Sequence, residues 1–146
     1  MPSQEITDRQ LDAFRRFLAL LPHGQGVELV ILKAHLLIEE QVRQIVDERL
    51  KNPLALVDAR LGCHQAICLA QSFFDEDHDP SLWVAIKKLN KIRNCIAHRL
   101  EPEGIHDRIQ DLLVSFPTGF AKLPKKEVRL EMTLWSLFVA VSELVK

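Results

Sequence analysis

Read by the spacing of its apolar positions, the chain divides into helical segments with short polar breaks. One of those segments carries charge where its neighbours carry hydrocarbon. It spans residues 82–99, with Ser81 leading. At about 100° per residue, Leu82, Ile86, Leu89, Ile96 and Ala97 gather on one side, and Arg93 falls in the middle of that side. A guanidinium does not escape burial by losing its proton, so the position calls for a buried carboxylate, a set of carbonyls or an anionic ligand. A second stripe, Lys87, Asn90, Lys91, Asn94 and His98, runs along the edge of the same helix, and no Asp or Glu occurs between Ser81 and Leu100. The pattern predicts one buried face and one basic, titratable edge.

The other segments read more simply. Thr7 caps a helix beginning at Asp8, with Leu11, Phe14, Leu18 and Leu21 as its inward stripe and Pro22, Gly24 and Gly26 ending it. Residues 27–50 form the longest helix, nearly apolar all round over its first half, as a central bundle helix is. Lys33, Glu40, Gln44 and Asp47 share a solvated side of it. Glu28, His35 and Glu39 share another, between Ile31, Leu32, Val42 and Val46. Glu39 is therefore the candidate semi-buried carboxylate and the candidate structural partner of Arg93.

Asn52 and Pro53 break that helix, and the next is predicted over 56–74, with Arg60, His64, Gln65, Gln71 and Ser72 on one broad arc. The acidic run 75–79 reads as a solvated linker, and Asp79 before Pro80 as the N-cap and first residue of the basic helix. A helix over 105–115 turns Ile109, Leu112, Leu113 and Phe116 inward. A loop over 117–126 leads to a last helix over 127–145, whose Leu130, Leu134, Leu137, Phe138, Val141 and Leu144 recur at helical spacing. No segment alternates like a strand. The prediction is an all-α, up-and-down helical bundle of five to six helices in one domain, residues 1–146.

Composition narrows the function. With 47% hydrophobic residues in 146, the chain has material for a real core. A formal net charge of -1 excludes a generic polyanion binder, so any nucleic-acid site must be a local patch. No 18-residue apolar run and no signal-peptide pattern occur, and the expectation is a cytoplasmic protein without membrane partners. Cys63, Cys68 and Cys95 are an odd number without CxxC spacing, which predicts three small buried thiols. A set of Cys63, His64, Cys95 and His98 matches no standard ligand spacing, so no metal or other cofactor is expected. Phe73, Phe74, Trp83 and Trp135 fall at helical spacing and read as core, not as base-stacking platforms. A P-loop, GxGxxG, HExxH, nucleophile elbow and paired catalytic carboxylates are all missing from the sequence.

What is left is RNCIAH, Arg93 to His98. An Arg followed by four residues and a His, with Asn directly after the Arg and Ala before the His, resembles the motif of the HEPN superfamily of small α-helical proteins. The resemblance extends over residues 27–100: a long helix bearing Glu39, a second helix, then the motif helix. It implies a metal-independent endoribonuclease site at the axis of a homodimer, with the two motif helices facing one another. By that resemblance His98 is the general acid/base toward the ribose 2′-hydroxyl or the leaving 5′-oxygen. Arg93 holds the scissile phosphate, and Asn94 positions the phosphate or the imidazole. Lys87, Lys91 and Arg99 attract the RNA backbone, and the product carries a 2′,3′-cyclic phosphate. Members of the superfamily are often toxins, which implies a nucleotidyltransferase-type antitoxin or another regulatory protein as partner.

Other readings of the same residues stay open. His98 and Arg99 complement a helix dipole, worth about 0.3–1 kcal/mol each. An Arg93 locked to Glu39 is structural, and stranding one of the pair costs about 3–5 kcal/mol. Glu39 with Glu40, Pro53 with Leu54, Arg60 with Leu61, and Arg93 with Asn94 also resemble the layout of the mannitol-operon repressor family. That implies a dimeric regulator or scaffold in which His98 is dispensable, although this chain is short for that family and adds the Ala-His ending. A third reading makes Arg93 and the lysine stripe a nucleotide or anion pocket without turnover.

Overall fold

The first helix, α1 (Asp8–Leu20), opens where Thr7 and Gln10 cap one another. The Gln10 N–H donates to the Thr7 hydroxyl oxygen and the Thr7 N–H to the Gln10 side chain, each at 3.1 Å. Two donors that the first turn leaves unpaired are thereby satisfied. The computed structural model describes residues 7–22, 26–99, 103–116 and 125–146. Within them follow α2 (Val27–Arg49), α3 (Cys63–Ser72), α4 (Ser81–His98), α5 (Ile105–Ser115) and α6 (Lys126–Ser142). The fold is the expected all-α helical bundle. No strand occurs among the described residues, and no helix there is long and apolar enough to cross a membrane.

Helix α2 lies at the centre, packed against α1, α3, α4 and α6. Its Ile31, Ala34, Ile38, Val42 and Ile45 join Ile67 of α3, Leu89 and Ile92 of α4, and Leu134 and Leu137 of α6 in one buried core. Each large side chain so enclosed contributes about 1.5–3 kcal/mol. Ion pairs fix the directions. Arg9 meets Glu48 at 2.6 Å and Arg16 meets Glu40, so α1 runs antiparallel to α2. Arg49 donates to the Leu144 carbonyl at 3.1 Å, which places the end of α6 beside the end of α2.

Two expectations are corrected here. The inward stripe of α1 is Phe14, Phe17 and Leu21, while Leu11 and Leu18 are exposed. The aromatic rings decide that rotation: Phe17 packs 4.5 Å from Phe138 and Phe14 packs 5.4 Å from Trp135, centroid to centroid. The helix expected over 56–74 begins only at Cys63. Pro53–Leu56 is a 3-10 turn, Arg60 has a left-handed φ of 48°, and the Gly62 N–H is capped by the Gln65 side chain at 2.8 Å.

Residues 53–62 instead carry the chain back along α2, held where Arg43 donates to the Leu61 carbonyl at 3.0 Å. Helix α3 therefore starts beside His35 and leads to Phe74, whose ring lies 4.9 Å from the Arg49 guanidinium carbon. Gln71 on α3 accepts from Lys87 on α4, and α4 returns antiparallel to it. Helix α4 begins one residue later than predicted, with Pro80 at its N-cap, and the Ser81 N–H donates to the Asp79 carboxylate at 2.9 Å. Helix α6 stops at Ser142, short of 145, and most of the loop expected over 117–126 lies outside the described residues.

Candidate functional site

By angle, Arg93 does belong to the buried side of α4, yet it is only half-buried. The reason is its position along the axis. Leu82, Trp83, Ala85, Ile86, Leu89 and Ile92 are buried, but Ile96 is half-buried and Ala97 exposed. Because α3 begins at Cys63, level with Asn90, the last turns of α4 run beyond the cover that α3 supplies. The buried polar residue of α4 is Asn90, at 5% exposure.

Asn90 anchors a cluster that joins three helices. Its Oδ1 lies 3.1 Å from Nε2 of His35, a residue of α2 with 3% exposure. Cys63 Sγ, at the start of α3, lies 3.5 Å from the same nitrogen. On the other side of the ring, Nδ1 faces Glu39 Oε2 at 3.8 Å. Glu39 is the half-buried carboxylate that the sequence suggested, but Arg93 is not its partner. Arg43 donates to Glu39 Oε1 through Nε at 3.1 Å and Nη2 at 2.9 Å. Arg93 forms no ion pair among the described residues, and its Nη1 donates to Asn94 Oδ1 at 3.1 Å. The local pair wins because residues four apart on one helix meet without any tertiary closure.

Burial disfavours the imidazolium and pushes the His35 pKa down. Glu39 and the Asn90 hydrogen bond oppose that shift, and the nearby Arg93 charge reinforces it. The Cys63 thiol is pushed up to about 11, by burial first and the Glu39 charge second, against Arg43 and Arg93. It is a protonated thiol at neutral pH and no activated nucleophile.

The motif edge itself is open. His98, the last residue of α4, is exposed, as are Lys91 and Arg99, while Asn94 is half-buried. Lys91, Asn94 and His98 follow one another at helical spacing along one edge. Lys87 is diverted, donating to Gln71 of α3 at 3.0 Å. His98 comes five residues after Arg93 and so projects roughly 140° around the axis from it. One helix does not bring those two together.

The expectation of three buried thiols is also corrected. Cys68 is exposed and Cys63 and Cys95 are half-buried, all three free. Cys63 faces His35, whereas His64 approaches Cys68 at 3.6 Å on the exposed side of α3. Among the described residues, the side chains close enough together to hold a metal ion are His35, Glu39 and Cys63. The sequence offered part of this in the spacing of His35 and Glu39, four residues apart. It gave no sign that Cys63 and Asn90 would join them. Comparison with family models, with curated proteins and with solved structures gave no match to this chain.

Proposed function

We propose that this protein is a HEPN-type endoribonuclease that acts as a homodimer and needs no metal for the chemical step. The observation that supports this reading is the exposed His98 at the end of α4, aligned with Asn94 and Lys91 on a helix that carries no acidic residue. His98 removes the ribose 2′-hydroxyl proton, the 2′-oxygen attacks phosphorus, and the bond from phosphorus to the 5′-oxygen breaks. A proton from the second protomer's imidazole reaches the leaving oxygen. The products are a 2′,3′-cyclic phosphate and a 5′-hydroxyl.

Arg93 keeps donors beyond the one given to Asn94, and these hold the phosphate as its charge develops. The angular separation of Arg93 and His98 favours a composite site, in which the Arg of one α4 serves with the His of the other. Lys91 and Arg99 attract the RNA backbone, and Lys87 adds charge from the α3 side. A cytoplasmic location and a nucleotidyltransferase-type antitoxin belong to this reading. RNA cleavage by the purified protein, with His98→Ala as the comparison, tests it.

A second reading has its own observation. The Pro53-Leu54 and Arg60-Leu61 pairs shared with the mannitol-operon repressor layout sit on the fold-back segment, where Leu54 is 78% and Val57 67% exposed. Pro53, Arg60 and Leu61 of these pairs border a cleft of about 190 Å³ that Arg43, Val46, Asp47 and Val57 also line. A scaffold that bound a protein partner there would lose it in Val57→Ser and keep it in His98→Ala.

A further inference from the structure

His35 is enclosed, and its hydrogen bonding does not close. Nδ1 is buried and has no hydrogen-bond partner among the described residues. Consider the tautomer with the proton on Nε2: Asn90 Oδ1 accepts it at 3.1 Å, and Nδ1 is left as a bare lone pair facing Glu39 Oε2 at 3.8 Å. With the proton on Nδ1 instead, the Cys63 thiol at 3.5 Å can donate to Nε2, but the Nδ1 N–H finds no acceptor within hydrogen-bond distance. Neither neutral form satisfies the ring, and an orphaned buried polar atom asks for an explanation.

We infer that His35, Glu39 and Cys63 bind a divalent transition metal of the zinc class beneath the motif end of α4. One ring nitrogen, the Cys63 sulfur and a Glu39 oxygen already lie within 4.8 Å of one another. Donors on a tetrahedral zinc stand roughly 3.3–3.6 Å apart, so the set closes on Nδ1 when the Cys63 sulfur, now 3.5 Å from Nε2, rotates toward the Glu39 side of the ring. The surroundings suit it. A ligating histidine commonly donates its second ring N–H to an oxygen that fixes its orientation, and Asn90 stands where that oxygen is needed. Arg43 takes Glu39 Oε1 and leaves Oε2 turned toward the site.

Imidazole, thiolate and carboxylate together select a zinc-like ion over calcium or magnesium. The two anionic ligands balance its charge in the presence of Arg43 and Arg93. The thiol proton of Cys63 passes to solvent as the metal–sulfur bond forms. Three protein ligands leave a fourth position for water.

The test is titration of chelator-treated, dialysed full-length protein with Co2+, followed by absorbance. The expected result is one Co2+ per chain, with the sulfur-to-cobalt charge-transfer band and the strong d–d bands of four-coordinate cobalt, all reversed by Zn2+. Cys63→Ser removes the charge-transfer band, and Glu39→Gln weakens binding at least tenfold. The double variant Cys68→Ser with Cys95→Ser changes neither. Circular dichroism establishes that each variant is folded; if Cys63→Ser is not, Glu39→Gln and the double variant decide. No band in folded wild type, a band that persists in folded Cys63→Ser, or one lost in the double variant overturns the site. The readout does not involve RNA, so its failure leaves the nuclease reading untouched.

Discussion

The Asn90 side-chain oxygen and His35 Nε2 meet at 3.1 Å inside a seam between α2 and α4 that is otherwise lined by residues such as Ile38, Leu89 and Ile92. A polar pair in that setting fixes register. Sliding α4 by one turn would strand both groups away from water, each at a cost of about 1–3 kcal/mol. The pair thus holds the motif end of α4 at a defined height on the bundle.

Asn90→Ala removes one partner and leaves the other buried. The expected loss is about 1–3 kcal/mol in urea unfolding, whereas Asn94→Ala, at the helix edge, stays within about 0.5 kcal/mol. Equal losses from the two would contradict the assignment of Asn90 as the buried anchor.

Stability should also depend on acid through Glu48. Burial works against its charge, but hydrogen bonds from the Lys146 N–H at 2.8 Å, Arg9 and Gln44 outweigh it, so the carboxyl is held below its ordinary range. A folded pKa below the unfolded one, about 4.5, means that the unfolded state takes up the proton first as pH falls. The stabilisation is complete above that value and disappears as pH drops through the folded one. Urea midpoints of wild type and Glu48→Gln should therefore differ at neutral pH and converge in acid. A gap that does not change with pH would show that the carboxylate charge is not what Glu48 contributes.

Much of the fold was legible because it is local. The cap at Thr7, the bounds of α5 and the central position of α2 all follow from residues within a few positions of one another. What was not legible needs chain closure. The partners of His35 stand 28 residues away, in Cys63, and 55 away, in Asn90. The apolar spacing of Leu56 to Leu61 imitates a helix, but Arg60 in a left-handed conformation and the Gly62 cap turn it into a return path. For Arg93 the helical angle was right and the depth wrong, since angle says nothing about where a neighbouring helix begins. His98, Lys91 and Asn94 were readable as an edge because exposure of a helix edge depends little on tertiary detail.

If Lys91 and Arg99 contact RNA phosphates, binding must weaken with salt. Each phosphate contact on a single strand contributes about 0.7 to the slope of log affinity against log salt. Lys91→Ala with Arg99→Ala should flatten that slope by about 1.4 and lower affinity without sequence preference. An unchanged slope would take these two residues out of the RNA path.

The proposed function stands or falls most directly on RNA cleavage in EDTA, with products analysed for their end groups. Wild type and His98→Ala are compared at equal folded content, checked by circular dichroism in the same chelator. The account predicts cleavage by wild type that survives EDTA, yields 2′,3′-cyclic phosphate and 5′-hydroxyl ends, and falls by at least a hundredfold in His98→Ala, the scale of a lost general acid/base. Cleavage that persists in His98→Ala, or a folded wild-type dimer that binds RNA and leaves it whole, would contradict it and favour the scaffold or anion-binding readings of the same helix.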